Sequence, residues 1–371
     1  MSVPKLLFLV TEDWYFVSHR LELGRRASQM GYDVVVATRC AEHAHLIEQA
    51  GIRVVPLELS RRGTRPWTIM REIMRVRALY RRERPDVVHH VALKPVVIGG
   101  LAARSLGMRR VISAIAGMGF LFTDQDRANR TRRILQYVLP VAIGHGLAIV
   151  QNSDDFSIVQ DTGIHKDRIR LIAGAGVDID RFAPSAEPEG SPVVMLPSRM
   201  LWDKGVGEFI EATRSLKQQG TQARFVLVGD PDRDNPASVT ETDLKSWVTD
   251  GLVEWWGHSE DMSSTLAKSA VVCLPSYREG MPKVLLEAMA CGKPCITTDA
   301  PGCRDAVQDG YSGLVVPVKD AESLARAIKH LLDQPLERSR MGVNARERAQ
   351  STFSQNTINN ATLELYKEVL A

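Results

Sequence analysis

Between Ala270 and Pro294 the chain reads Ala-Val-Val-Cys-Leu-Pro, then Ser-Tyr-Arg-Glu-Gly-Met, then Pro-Lys-Val-Leu-Leu-Glu-Ala-Met-Ala-Cys-Gly-Lys-Pro. The uninterrupted apolar run has the pattern of a strand buried on both faces of a parallel sheet. A short polar loop carrying Glu279 and Gly280 follows, and Pro282 suits the first position of a helix. Leu285, Leu286 and Met289 suit packing of that helix on the sheet, and Gly292 and Pro294 end it. Glu279 thus stands at the lip of a helix N-terminus, where free N–H groups attract phosphate or another electron-rich group. Glu287 lies a turn or so inside, able to accept hydrogen bonds from vicinal hydroxyls such as those of a ribose.

Two acids spaced this way would alone read as solvated carboxylates on a helix face. The whole string from Glu279 to Pro294, after its strand, resembles the signature of the retaining family 4 glycosyltransferases. That resemblance implies an α/β chain of GT-B architecture, with two Rossmann-like domains facing a central cleft. It also implies transfer of a hexose or N-acetylhexosamine from a nucleotide sugar, a UDP-sugar being expected, with retention at the anomeric carbon. The matching catalytic residues are Arg199, Lys204 and Glu279: the two cations would offset the charge of the leaving diphosphate, and Glu279 would orient the sugar ring. Gly280, Met281, Pro282, Lys283 and Val284 follow Glu279 along the donor, Glu287 would hold the ribose, and His258 and Ser259 would border the base. Neither a cofactor nor a metal is expected. The acid-x-acid pattern occurs three times, at Asp124/Asp126, Asp178/Asp180 and Asp232/Asp234, too freely to mark a metal site.

A length of 371 residues favours two domains. The five cysteines form no pair of close doublets, so packing rather than metal binding is expected of Cys291 and Cys295 in a reduced, cytoplasmic protein. Lys5 to Val10 is too short for the apolar core of a signal peptide and reads as a first strand. The net charge of +3 hides an asymmetry: residues 51–150 hold eighteen Lys and Arg against six Asp and Glu, leaving +12 there and −9 elsewhere. A basic region of that size suits an anionic surface as well as it suits a solvated face. The expected partner is the cytoplasmic face of the inner membrane, with no nucleic acid.

The first half alternates strands and helices. After strand 5–10, residues 11–17 read as a loop and residues 18–30 as a helix; strands follow at 34–37 and 53–56. Trp67 lies among arginines at the start of a helix reaching about Arg84, whose Ile69, Ile73, Val76 and Tyr80 recur at helical spacing. That composition suits a helix resting on headgroups, or an exposed helix with one buried stripe. Asp86 to Val91 is a strand ending in Ala92-Leu-Lys-Pro95, a carboxyl end where parallel sheets place ligands. The Lys94-Pro95 ending resembles the family branch that extends polyprenyl-diphosphate-linked acceptors in surface-glycan assembly. Asp13, His19, His90 and Lys94 are the acceptor-side candidates, although His19 reads equally as a helix-capping group. Of His89 and His90 only one can face a given side of the strand, and His90 is favoured. The glycine-hinged apolar loop 116–122 suits contact with a lipid chain, and Arg127 to Arg133 lead into an apolar helix over 134–148.

Residues 174–184 resemble the phrase that closes the family's first domain. The expected layout is an acceptor domain over 1–184, a linker over 185–192 and a nucleotide-sugar domain over 193–353. A final helix, 354–371, would cross back to the first domain. Competing readings are a nucleotide-sugar epimerase of the same architecture and a non-catalytic sugar-nucleotide-binding partner of a membrane enzyme.

Overall fold

The computed structural model describes residues 3–60, 65–116, 136–232 and 235–371. Loop residues 117–122, the arginines 127–133, helix positions 134–135, Asp124, Asp126 and Asp234 lie outside the described residues. The chain divides into two units: residues up to 175 together with 358–371, and residues 176–357.

In the first unit the elements run β1 (Lys5–Glu12), α1 (Asp13–His19), α2 (Leu21–Gln29), β2 (Asp33–Arg39), α3 (Ala44–Gln49) and β3 (Arg53–Pro56). Next come α4 (Pro66–Glu83), β4 (Val87–Val91), α5 (Leu93–Ser105), β5 (Val111–Ala114) and α6, described over 136–143. Then follow β6 (Leu147–Val150), α7 (Ser153–Asp161) and β7 (Ile169–Leu171). The seven strands form one parallel sheet in the order β3-β2-β1-β4-β5-β6-β7. Because side chains alternate along a strand, β1 feeds two cores. Leu6, Phe8 and Val10 pack with Phe16 and Tyr366, while Leu7 and Leu9 pack with Val76, Leu79 and Ile98.

Residues 11–17 are not the loop expected: β1 continues to Glu12 and α1 begins at Asp13. Phe16 goes into the core edge-on to Phe8, with ring centroids 5.3 Å apart, and Tyr15 stacks on His19 one turn later. The Tyr15–His19 contact at i, i+4 and the burial of Phe16 favour a helical turn over an open aromatic loop.

The second unit contains β8 (Val193–Pro197), α8 (Val206–Gln218), β9 (Arg224–Val228), α9 (Glu241–Thr249), β10 (Glu254–Trp255), α10 (Met262–Ala267) and β11 (Val271–Leu274). It continues with α11 (Lys283–Ala290), β12 (Cys295–Thr298), α12 (Cys303–Ala306), β13 (Gly313–Val316), α13 (Ala321–Asp333) and α14 (Pro335–Thr352). Its six strands are parallel, in the order β10-β9-β8-β11-β12-β13. Pro282 is the N-cap of α11 and not its first helical residue as expected; the helix begins one residue later, at Lys283. The last helix, α15 (Gln355–Leu370), buries Tyr366 against Phe8 and Tyr32 of the first unit.

Residues 176–184 group with the second unit. Val177 bridges to Ser354, and the Arg346 guanidinium donates to the carbonyls of Ile179, Phe182 and Ala290. Both sheets reverse strand order beside their first strand, at β1/β4 and β8/β11, where open parallel sheets form crevices at the carboxyl ends of the strands.

Candidate functional site

In the second unit the reversal sets the loop after β8 beside the loop after β11. Beyond β8 the chain makes a 3₁₀ turn, Trp202–Lys204, closed by Gly205 in the left-handed conformation at φ +74°. A Cβ at Gly205 would stand 2.2 Å from the Pro275 carbonyl oxygen, so only glycine lets the two loops approach this closely. Lys204 then meets Glu279 directly, Nζ to Oε1, in a pair with 19% and 14% of the side chains exposed. A third loop braces the acid, since Glu279 N–H donates to the Pro301 carbonyl at 3.0 Å. Gly302, at φ +78°, permits that contact, because a Cβ there would lie 2.6 Å from the Glu279 carbonyl oxygen.

Arg199 is more open and pairs with Asp232 at 2.8 Å. Gly280 and Met281 on the approach to α11, and Lys283 and Val284 at its start, are half-buried, whereas Pro282 is buried. Glu287, one turn into α11, is 7% exposed and lies 3.3 Å from the Lys283 ammonium. Burial pushes its carboxyl above the ordinary value of 4.5, against the opposing pull of Lys283. His258 is exposed after β10, and the Ser259 hydroxyl shares a hydrogen bond with Thr265 at 2.8 Å. Taken together, one carboxyl edge carries two cations, a paired acid, a helix start and a buried acid, a combination suited to a phosphate and a hydroxylated ring.

The corresponding edge of the first unit departs further from expectation. His90 is fully buried and bonds the Tyr80 hydroxyl at 2.8 Å, with burial holding its imidazole down to about 3. His89, pointing the other way, is also buried and bonds the Tyr366 hydroxyl at 2.7 Å. Every residue of β4 is covered on both faces, so choosing between the two histidines by strand alternation could not find one open to a ligand. Asp13 is buried as well, accepting from the backbone N–H groups of Ala41, Trp14 and His43 at 2.6, 2.7 and 3.1 Å. Burial raises its pKa, but these amides outweigh that and hold the carboxyl below the usual range. In this structure Asp13 and His90 are therefore inward-facing supports, not surface groups.

His19 and Lys94 remain partly accessible. His19 stacks on Tyr15 with ring centroids 4.2 Å apart. The Lys94 ammonium is held by Ser60 and by the buried carboxylate of Glu72, 3.1 Å away. Glu72 was not singled out in the sequence because it lies on another helix and only the fold brings it to Lys94. Ala92, which caps α5, has φ +75° and ψ 160°, a conformation ordinarily reserved for glycine.

Among the described residues no three His, Cys, Asp or Glu side chains gather as a metal site, all five cysteines are free, and no helix is long and apolar enough to cross a membrane.

Comparison with known proteins bears on the family and the fold. A family model described as glycosyl transferases group 1 matches residues 178–348, and one described as glycosyl transferase 4-like matches residues 5–143. The chain is 28% identical over 354 residues to the N,N'-diacetylbacillosaminyl-diphospho-undecaprenol alpha-1,3-N-acetylgalactosaminyltransferase of Campylobacter jejuni, covering 91% of this chain and 92% of that one. It is 25% identical over 280 residues to the UDP-Gal:alpha-D-GlcNAc-diphosphoundecaprenol alpha-1,3-galactosyltransferase of Escherichia coli, covering 71% and 70%. Its fold is similar to Anabaena Alr3699/HepE, solved in complex with UDP, at a TM-score of 0.78 and 19% identity over 98% of this chain and 100% of that one. The chain belongs to the glycosyltransferases of GT-B fold, a glycosyl transferase 4-like domain followed by a group 1 domain.

Proposed function

We propose that the protein transfers a hexose or N-acetylhexosamine from a UDP-sugar to a saccharide carried on a polyprenyl diphosphate, with retention at the anomeric carbon. The observation that carries this reading is the Lys204–Glu279 pair at the β8/β11 reversal, beside the start of α11. A diphosphate arriving there would draw the Lys204 ammonium from Glu279, and Arg199 would add a second positive charge. Glu279 and the amides from Gly280 to Val284 would orient the sugar, while Glu287 would receive the ribose hydroxyls. His258 and Ser259 would border the base. In the transfer the bond from the anomeric carbon to the diphosphate oxygen breaks and a bond to the acceptor oxygen forms on the same face. The acceptor's proton passes to the departing phosphate.

The acceptor assignment draws on the relatives, two of which are named for diphospho-undecaprenol substrates. His19 and Lys94 are the acceptor-side residues that the first unit leaves within reach. The same unit supports contact with the cytoplasmic leaflet. On α4, Trp67, Met70 and Met74 are 69%, 59% and 52% exposed along one face beside the exposed Arg71 and Arg75. The acids of α4 turn away: Glu72 is buried on Lys94, and Glu83 pairs with Arg53. An apolar and basic face without acids suits anionic headgroups.

The test is thermal stabilisation by free nucleotides, then transfer to a polyprenyl-diphosphate saccharide with NMR assignment of the new anomeric bond. UDP and UDP-sugars should raise Tm, by about 2.7 kcal/mol of stability at a hundredfold excess over Kd, and Lys204→Ala should abolish the shift. No shift with any nucleoside diphosphate refutes the donor assignment; product formed without an acceptor points to an epimerase. Flotation with anionic and neutral vesicles, comparing wild type with Trp67→Ala/Met70→Ala/Met74→Ala, tests the membrane face.

A further inference from the structure

Tyr277 lies two residues before Glu279 and takes no part in the donor contacts above, yet it joins three loops at the carboxyl edge of the second sheet. Its hydroxyl donates to Glu208 Oε1 at 2.6 Å, in the first turn of α8. Its backbone N–H donates to the Asp203 carbonyl at 2.9 Å, and the neighbouring Ser276 hydroxyl donates to the same oxygen at 3.1 Å. The Lys319 ammonium, beyond β13, lies 4.8 Å from the centre of the Tyr277 ring. Lys204 is thus bracketed on both sides: Asp203 before it and Glu208 after it are each tied to the segment 276–277.

We infer that Tyr277 and Glu208 form a strut that positions Lys204 against Glu279 and so sets where positive charge meets the leaving diphosphate. Two further observations separate this bond from a casual surface contact. The other Glu208 oxygen, Oε2, is buried and has no hydrogen-bond partner among the described residues, so the Tyr277 hydroxyl is what compensates this carboxylate. Burial and the adjacent Glu208 carboxylate also push the phenol's pKa well up, so it stays a donor throughout the physiological range. Beyond β8 the loop meets the 276–279 segment through one backbone bond, Tyr277 N–H to the Asp203 carbonyl, and through the Lys204–Glu279 pair. Its register against that segment rests on these side-chain and carbonyl ties and on the close approach at Gly205. A small error in the placement of a charge-stabilising group is costly for rate and mild for binding, because the charge develops in the transition state.

The inference rests on the proposed role of Lys204, and the experiment separates the two. Steady-state transfer is measured for Tyr277→Phe, Glu208→Ala, the double variant and Glu208→Gln, normalised to UDP-binding sites counted by calorimetry, and for Lys204→Ala per folded protein, all well below each Tm. Tyr277→Phe and Glu208→Ala should each lower kcat about tenfold with donor KM within about twofold. The double variant should be no worse than either single one, and Glu208→Gln, whose amide oxygen still accepts the bond, should recover most of the rate. An unchanged kcat in Tyr277→Phe, a loss explained by fewer UDP sites, or additive losses in the double variant would overturn the strut. Full activity in Lys204→Ala would instead overturn the reading on which it rests.

Discussion

Gly205 offers a quantitative test of how the donor-side loops are held together. It shares its left-handed backbone with Gly220 of the same unit, at φ +74° and +78° respectively. Their surroundings differ: a Cβ at Gly220 would meet nothing within 4 Å, whereas one at Gly205 would lie 2.2 Å from the Pro275 carbonyl oxygen and 2.8 Å from its carbon. Gly220→Ala should therefore cost only the backbone term, about 1–2 kcal/mol. Gly205→Ala adds the displacement of a backbone carbonyl, about 1–3 kcal/mol more by analogy with overpacked cores. In a unit spanning residues 176–357, each kcal/mol moves Tm by about 2–4 °C. Calorimetry of the full chain should show falls of roughly 2–8 °C for Gly220→Ala and roughly 4–20 °C for Gly205→Ala, following those per-kcal shifts. Gly205→Ala should also lose transfer activity in its folded fraction, since the loop that moves carries Lys204. Equal falls in Tm for the two variants would refute the claim that close approach sets the loop geometry.

Three further outcomes follow from the structure. Glu287 has a raised folded-state pKa, so its stabilising contribution is full below its ordinary value of 4.5 and is lost as pH rises through the higher folded value; Glu287→Gln should flatten that part of a Tm-against-pH profile. Tyr366→Phe leaves His89 Nδ1 without its bond while Nε2 already lacks one among the described residues, and chemical denaturation should report a loss of about 1–3 kcal/mol. Ala92→Gly should gain about 1 kcal/mol or more by relieving the backbone at φ +75°, read as a rise in Tm.

Much of this architecture is legible in the amino-acid order. The strand Arg53–Pro56 has the bounds read from the sequence, its β-branched Val54 and Val55 being bracketed by Gly51 and Pro56, although only Val55 is buried. Helix α9 went unread although Thr240 and Asp243 form a capping box that marks its start. Aromatic and acidic residues hid α1, whose helical turn is stabilised by Phe16 entering a core built largely from distant strands.

The sequence alone determined the alternation of strands and helices, the excess of basic residues in the first half, and the loop-to-helix motif from Glu279 to Pro294. Those are local properties, set by periodicity, composition and the punctuation of glycine and proline. Tertiary structure alone decided which groups meet. Lys204 and Glu279 are 75 residues apart and pair because β8 and β11 are neighbours in the sheet. Lys94 finds Glu72 because α4 and α5 pack together, and His90 is withdrawn from any ligand because Tyr80 covers it. Strand order and helix packing reflect the burial of whole faces, summed over the chain, so no local stretch of residues encodes them.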